Sequence, residues 1–66
     1  MDYRKTYVGD TVLFQASMCG FDVKRGDTFE VIGTIEGKDR AFQFKDNSGA
    51  TRLAQLGTAW VKIKER

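Results

Sequence analysis

Residues 23–32 read VKRGDTFEVI, in which a Gly-Asp turn leads directly into alternating apolar and polar residues. The same step opens the stretch GDTVLF at residues 9–14. Glycine supplies the positive φ that a tight turn needs, and aspartate hydrogen-bonds the backbone of its own turn. Alternation with a period of two is typical of a half-buried strand. Both stretches therefore predict turns that begin the strands of an all-β protein.

Five strands are predicted from this alternation and from the glycine-bearing breaks between apolar runs. They cover residues 11–16, 28–35, 40–45, 50–53 and 59–64. Within the second strand, Gly33 marks a bulge or a sharp bend. Residues 54–57 are too few for a stable α-helix, so a single 3₁₀ turn is predicted there. Residues 17–25 form a long first loop, and residues 1–8 form an N-terminal arm.

A chain of 66 residues has room for one domain with a thin core. Chains of this size bury only about 60% of the surface that they expose when unfolded. We therefore expect a single small β-barrel domain over residues 1–66. Its predicted core consists of apolar strand residues, namely Val12, Phe14, Phe29, Val31, Ile35, Phe42, Phe44, Leu53, Val61 and Ile63.

The composition argues against catalysis, metal binding and cofactors. The chain has no histidine and one cysteine, Cys19, so it lacks the usual general base and the thiolate–imidazole pair of nucleophilic enzymes. Most carboxylates are interpreted as solvated turn residues, and their spacing matches neither a calcium loop nor an acid–base pair. These carboxylates are Asp22, Asp27, Glu30, Glu36, Asp39 and Asp46. An oligomeric enzyme with a central symmetric cavity is the one catalytic alternative.

The single cysteine is typical of a reducing compartment rather than of a secreted protein framed by disulfides. No apolar run approaches the roughly 18 to 20 residues that span a bilayer, and the N-terminal residues do not form an apolar signal segment. We predict a cytoplasmic protein without a membrane partner, of a size that suits a small accessory protein of a phage or mobile element. The net charge of +2 does not by itself indicate nucleic-acid binding.

Over residues 9–64, the order of these elements resembles the Src-homology-3-like (SH3-like) small barrels. A first strand and a long loop are followed by VKRGDTFEVI, a hairpin, FKDNSG at residues 44–49, a short strand, one helical turn and AWVKI at residues 59–63. Barrels of the KOW and Tudor-like kind share the same Gly-Asp opening. The resemblance implies a single five-stranded SH3-like barrel with a short 3₁₀ turn before the last strand.

Binding of proline-rich peptides, which the signalling members of the family perform, is not expected here. In the signalling members, the first strand supplies two aromatic residues to the peptide-binding groove, and the position of the second is Ala16 here. The tryptophan that opens the third strand in those members has no counterpart in residues 39–42. Of the terminal motif, only Trp60 supplies a matching ring. A groove for a polyproline helix needs several parallel aromatic walls.

Trp60 is the first candidate for contact with a partner. If Val61 and Ile63 face the core, alternation turns Trp60 outwards beside the cations of the same strand face. These cations are Lys62, Lys64 and Arg66. A stacking ring followed by cations is typical of a platform for single-stranded nucleic acid, and exposed tryptophan is common at protein interfaces. The structural alternative is a tryptophan that caps an open barrel end.

Two further clusters carry exposed rings or adaptable side chains. Tyr3 and Tyr7, with Arg4 and Lys5, would extend the Trp60 surface if the N-terminus lies beside the last strand; otherwise the tyrosines cover the barrel end. In the first loop, Met18 and Phe21 either contact a partner or fold back over the core.

The sequence thus predicts a non-enzymatic protein-interaction module that binds a partner protein or its own copies. Its partner-binding residues would be Trp60, Phe21, Met18, Tyr3 and Tyr7. The alternative is a small nucleic-acid-binding barrel that uses Arg4, Lys5, Trp60, Lys62, Lys64 and Arg66. Phosphate contacts release counterions, so nucleic-acid binding would weaken steeply with salt, whereas an apolar protein interface would change little.

Overall fold

A computed structural model describes residues 5–17, 20–57 and 60–64. They form an all-β protein with six short strands. The strands are β1 (Thr11–Phe14), β2 (Thr28–Glu30), β3 (Gly33–Ile35), β4 (Lys38–Lys45), β5 (Thr51–Gln55) and β6 (Val61–Ile63). In this part of the chain, no helix has the length and apolar character needed to cross a bilayer.

The strands form two antiparallel sheets of three strands each rather than one closed barrel. The first sheet has the order β2-β1-β6, and the second has the order β3-β4-β5. In the first sheet, Val12 lies opposite both Phe29 and Ile63. Because residues of one face alternate with those of the other, this register places three apolar side chains side by side on the inner face.

The prediction of five strands is wrong, because the stretch 28–35 divides into β2 and β3. The amide of Val31 donates to Asp10 O at 2.8 Å, whereas the next amide, that of Ile32, donates to Gln43 O at 2.9 Å. The chain therefore changes sheets between these two residues. The break lies just before Gly33, where the Gln43 side chain comes so close that a Cβ would meet Oε1 at 2.3 Å. An interruption of the predicted strand is thus present, but as a change of sheet before Gly33, and the bulge lies between Thr34 and Ile35.

The predicted 3₁₀ turn at residues 54–57 is also wrong. Ala54 and Gln55 belong to β5 and lie opposite Phe42 and Ala41 of β4. The ladder continues beyond β5, since the amide of Leu56 donates to Arg40 O at 3.0 Å. Backbone pairing with β4 therefore takes the residues for which a helical turn was expected. Of the predicted last strand, residue 59 lies outside the described residues, and β6 begins at Val61.

Most of the predicted core is confirmed. Seven of the predicted residues are buried, namely Val12, Phe14, Val31, Phe42, Phe44, Val61 and Ile63. Phe29 and Ile35 are half-buried, and Val23 and Leu56 are core residues that the sequence did not single out. Leu53 was placed in the core wrongly: it is 54% exposed. Its neighbours in β5, Arg52 and Ala54, are more buried, so the alternation turns Leu53 to the outer face.

Phe44 lies at the centre of an aromatic cluster that joins the two sheets. Its ring centroid lies 5.1 Å from that of Phe14 and 5.0 Å from that of Phe29 in the first sheet. Phe42 lies 5.8 Å from it on β4, and Phe21 of the first loop lies 6.1 Å from it. Tilted and edge contacts at these distances are favourable beyond simple burial. The cluster holds both sheets and the loop to one core.

Both Gly-Asp turns form, and they share one geometry. In residues 7–10 the Asp10 amide donates to Tyr7 O, while the Tyr7 amide donates to Asp10 Oδ2. In residues 24–27 the Asp27 and Lys24 groups repeat both bonds. The glycine at the third position has a φ of 96° in the first turn and 91° in the second. A positive φ at this position is the signature of a type II turn.

The described end of the N-terminal arm is part of the fold. Between β3 and β4 the register shifts: Thr34 faces Phe42, but Ile35 faces Lys38. The β4 residues in between lose their β3 partners, and Thr6 replaces them. Its amide donates to Asp39 O at 2.8 Å, and its hydroxyl donates to Ala41 O at 2.9 Å. Thr6 is only 1% exposed, so the arm seals the bulge at this point.

Candidate interaction surface

Trp60 lies on the surface, immediately before the edge strand β6. Val61 and Ile63 are buried in the core, as the alternation predicts. Trp60 is 50% exposed, Lys62 is half-buried and Lys64 is exposed. The predicted arrangement of an outward ring with two cations after it is therefore present in the described part of the strand. Arg66, the third predicted cation, lies outside the described residues.

The indole of Trp60 is held in place by the backbone of Gly57. The Trp60 amide donates to Gly57 O at 3.2 Å, and the Gly57 amide donates to Val61 O at 3.0 Å, which closes a small bridge. A Cβ on Gly57 would lie only 2.6 Å from Trp60 Cδ1, so any larger residue would displace the ring. One edge of the indole is packed against this glycine while half of the side chain faces solvent.

Beside Trp60 extends the outer face of the first sheet. Leu13 lies at its centre, opposite Thr28 on one side and Lys62 on the other. Leu13, Lys62 and Gln15 are half-buried. The backbone amide of Gln15 donates to Trp60 O. Facing residues in an antiparallel pair bring their Cβ atoms within about 5.5 Å. We name this surface the Trp60 face, and it consists of Leu13, Gln15, Trp60, Lys62 and Lys64.

Lys5 and Tyr7, the described members of the N-terminal cluster, lie at the other end of β1. The Lys64 amide donates to Thr11 O, which places Lys64 next to the start of β1, whereas Trp60 lies at its end. β1 has four residues, so about 10 Å separates the two ends. Lys5 Nζ lies 5.9 Å from the centroid of the Tyr7 ring. This pair therefore lies near the start of β1, where Thr6 is bonded to β4, and not beside Trp60.

Tyr7 itself is 55% exposed, and its neighbour Val8 is 65% exposed. The apolar surface at the first Gly-Asp turn thus includes a residue that the sequence did not single out. Tyr3 and Arg4 of the same predicted cluster lie outside the described residues.

Phe21 covers the core. Phe21 is half-buried and packs against Phe44. The guanidinium carbon of Arg52, a residue of β5, lies 5.4 Å from the centroid of the Phe21 ring. A cation over an aromatic face is attractive, and here it also shields the ring from solvent. Two roles were predicted for Phe21, contact with a partner and folding back onto the core, and the geometry favours the second. Met18, the other loop residue of the prediction, lies outside the described residues.

Asp46 was interpreted as a solvated turn residue, and that interpretation is wrong. Its side chain is fully buried in the turn between β4 and β5. Oδ1 accepts hydrogen bonds from the hydroxyl and the amide of Ser48 at 2.6 and 3.0 Å. Oδ2 accepts from Arg52 Nε at 2.9 Å and from the Asp22 amide at 3.2 Å. The carboxylate therefore joins its own turn to β5 and to the first loop.

These donors also control the ionisation of Asp46. The hydroxyl of Ser48 contributes most to holding the pKa of this carboxyl well below its ordinary range. Burial acts in the opposite direction, and Arg52 and the amides of Asp22 and Ser48 add to the lowering. The carboxyl is thus ionised in the folded protein, as a structural group that accepts hydrogen bonds. The signal in the sequence is the serine two residues after the aspartate, which is typical of a side-chain-capped turn.

Asn47 reinforces the same connection. Its side-chain amide donates to Asp22 O at 3.1 Å and to Asp27 Oδ2 at 3.0 Å. The turn between β4 and β5 is thereby bound to the second Gly-Asp turn. Among the described residues, no group of three or more His, Cys, Asp or Glu side chains has the geometry to hold a metal ion. The carboxylates of Asp27 and Asp46 act here as hydrogen-bond acceptors that stabilise the turns.

No protein-family model matches this chain, and neither a curated protein nor a solved structure does. The chain's own geometry is therefore the basis for assigning a function.

Proposed function

We propose that this chain is a non-enzymatic protein-interaction module, and that the Trp60 face binds a segment of a partner protein. The observation that carries the proposal is the indole of Trp60, half-exposed and yet packed against Gly57. A large side chain that is already ordered loses little conformational entropy when it is buried by a partner. Tryptophan in such positions is the residue type most often found at the energetic centre of a protein interface.

The surroundings of the ring support a protein ligand. Leu13 and the aliphatic stem of Lys62 offer apolar surface next to it, and Gln15 offers a polar side chain. The charged ends of Lys62 and Lys64 lie at the border, where they favour a segment that carries acidic residues. A mixture of an aromatic centre and a polar border is the composition of an ordinary protein interface.

The proposal includes a fold and a location. We infer an SH3-like barrel that is open along one side, supported by the direct passage of the chain from β2 in the first sheet to β3 in the second. The cytoplasm is the proposed location because the sequence has one cysteine.

Binding of single-stranded nucleic acid is the second candidate. Trp60, Lys62 and Lys64 follow one another on the same strand face, as stacking on a base with phosphate contacts beyond it would require. Against it stands Glu30, an exposed carboxylate that faces Thr11 across the same outer surface. A protein ligand is for that reason the first candidate.

Peptide selection with matched variants tests the first candidate. Binders would be selected from a random display library with the wild-type protein, and each would be measured by calorimetry against Trp60→Ala and Tyr7→Ala. Tyr7 is a matched control because it is exposed to a similar degree at the other end of β1. We expect Trp60→Ala to weaken binding about 30-fold, as loss of a central tryptophan does, and Tyr7→Ala to change it by less than about twofold.

Two results would contradict the proposal. Either no peptide is enriched, or the enriched peptides bind Trp60→Ala as well as they bind the wild type. Circular dichroism of both variants would first establish that the strands are retained, so that a loss of binding reports on the surface and not on the fold.

A titration of Trp60 fluorescence with mixed-sequence single-stranded and duplex nucleic acid tests the second candidate. Quenching that weakens steeply between low and moderate salt, and that Lys62→Ala combined with Lys64→Ala abolishes, would place nucleic acid first. An unchanged signal at both salt concentrations would exclude these ligands.

A further inference from the structure

Within residues 5–17, 20–57 and 60–64, β5 is an edge strand with one unpaired side. It pairs with β4 alone in the second sheet. The Leu56 amide donates to Arg40 O and the Asp46 amide donates to Ala50 O, so the even-numbered residues of this ladder exchange its hydrogen bonds. Because peptide groups alternate in direction along an antiparallel strand, those of Thr51, Leu53 and Gln55 point away from β4.

These outward peptide groups have no hydrogen-bond partner among the described residues. The side chains of the same residues, Thr51, Leu53 and Gln55, are uncharged and exposed. Natural proteins usually protect a sheet edge with a charged side chain, a proline or a covering segment. In β5 the only charged residue is Arg52, and Asp46 binds its guanidinium on the inner side. The edge is therefore ready to accept another strand.

The sequence of β5 fits a second copy of itself. A second β5 can be placed antiparallel to the first with the two Leu53 residues facing each other. Thr51 of each copy then faces Gln55 of the other copy. All three facing positions are those whose peptide groups point outwards, so each pair can exchange its hydrogen bonds. Arg52 faces Ala54 of the second copy, and no like charges meet.

The side chains on the outer surface agree with this register. Leu53 is 54% exposed, and pairing would bring the two Leu53 side chains together at the two-fold axis. A self-complementary patch of this kind is what a two-fold interface requires, since each subunit contributes the same residues. A heterologous strand would need a matching sequence, whereas the second copy supplies one by symmetry.

We propose that this chain forms a two-fold dimer through β5, in which the two β3-β4-β5 sheets join into one continuous antiparallel sheet. The interface is distinct from the Trp60 face, which lies on the first sheet. One strand pair with one leucine contact buries less than the roughly 1,200 Å² of a standard protein interface, so we expect a dissociation constant of about 1 to 100 μM. Each dimer would carry two copies of the Trp60 face.

Sedimentation equilibrium of the full chain, from about 5 to 500 μM with a reductant to prevent disulfides through Cys19, tests the proposal. We expect a monomer–dimer equilibrium for the wild type. Leu53→Lys places two like charges at the two-fold axis and should raise the dissociation constant at least tenfold. Val8→Lys is the matched control, because Val8 is similarly exposed outside β5, and it should leave the equilibrium unchanged.

A second variant tests the backbone itself. The chain is short enough for chemical synthesis, and N-methylation at Leu53 removes one outward N–H group while retaining the side chain. It should weaken the dimer as Leu53→Lys does. A strictly monomeric wild type would overturn the proposal, and so would a dimer that both Leu53 variants retain. A dimer that Trp60→Ala abolishes and Leu53→Lys does not would show association through the Trp60 face instead.

Discussion

The two Gly-Asp turns have the same local structure and different surroundings. Residues 7–10 and 24–27 share both of their internal hydrogen bonds and the positive φ of their glycine. The first turn is followed by β1 and exposes the side chains of Tyr7 and Val8. The second turn is followed by β2 and is bound through Asp27 to Asn47 of the turn between β4 and β5.

Different long-range contacts anchor the two turns. The first turn is bound to β4 through the preceding Thr6, whose amide donates to Asp39 O and whose hydroxyl donates to Ala41 O, and the Gly9 amide donates to Val31 O. The second turn is bound to Phe14 by the Gly26 amide and the Asp27 carbonyl, and the Asn47 side chain adds a bond to Asp27 Oδ2. The buried carboxylate of Asp46 binds the amide of Asp22, which precedes this turn. A short sequence pattern thus determines a turn, while distant residues decide how firmly it is held. Five substitutions separate these contributions.

Asp46→Asn should cause the largest loss in the free energy of unfolding. The buried carboxylate of Asp46 accepts hydrogen bonds from Ser48, Arg52 and Asp22. The asparagine amide would direct its own N–H groups at some of these donors. Urea unfolding at neutral pH measures the loss. Glu36→Gln, in the exposed turn between β3 and β4, is the control and should change stability little.

The buried carboxyl of Asp46 also predicts a pH dependence of stability, which a comparison of the wild type with Asp46→Asn measures. Folding lowers the pKa of Asp46, so its stabilising contribution is complete above the unfolded-state pKa of about 4 and is lost as the pH falls further. The wild type should therefore lose stability below about pH 4, and Asp46→Asn should lose less over that range. An equal acid-induced loss in both proteins would assign the effect to other carboxyls.

Thr6→Val should have the next largest effect, about 1 to 3 kcal/mol, because it leaves the buried Ala41 carbonyl without the hydroxyl that it accepts from. Thr6→Ser retains the hydroxyl and is the matched control. Chemical unfolding of both variants gives the difference. If valine and serine cost the same, the hydroxyl contributes nothing and the arm is held by its backbone alone.

Gly9→Ala and Gly26→Ala should each cost about 1 to 2 kcal/mol, since an L-residue rarely adopts a positive φ. An added Cβ would meet nothing within 4 Å at either glycine, so the cost is conformational in both turns. Equal unfolding free energies for the two variants would confirm that the local structures are equivalent. A clear difference would show that the surroundings act on the turn backbone as well.

Asn47→Ala should have the smallest effect, about 1 kcal/mol, since its hydrogen bonds to Asp22 O and Asp27 Oδ2 are exposed. Its consequence should be local. Hydrogen exchange at the Lys24 amide should accelerate, while the Tyr7 amide of the first turn should keep its rate. Acceleration at both amides would contradict the separate anchoring of the two turns.

Local patterns predicted the all-β class, the two Gly-Asp turns and the exposure of Trp60, but not the number of strands. Alternation placed Val61 and Ile63 in the core and Trp60 at the surface, and the two Gly-Asp turns formed as expected. The same rule was not sufficient for Leu53, because a short strand does not itself show which of its two faces the core covers. That choice follows from the pairing of β5 with β4.

Residues that act over long distances in the sequence were missed. Thr6 and Ala41 are 35 positions apart, and Asp22 and Asp46 are 24 positions apart. The threonine is an ordinary arm residue in the sequence, and the aspartate is an ordinary turn residue. Their burial depends on which segments come into contact on folding, and such long-range contacts cannot be read from the local pattern of a single sequence.

The all-β class, both Gly-Asp turns and the outward position of Trp60 follow from local sequence alone, because they depend on glycine φ angles and on alternation between neighbouring residues. Three features follow from tertiary contacts instead: the separation of β2 and β3 into different sheets, the burial of Asp46, and the edge of β5 that no described residue pairs with. Each of these depends on hydrogen bonds and packing between distant segments, which exist only once the two sheets share the Phe44 core.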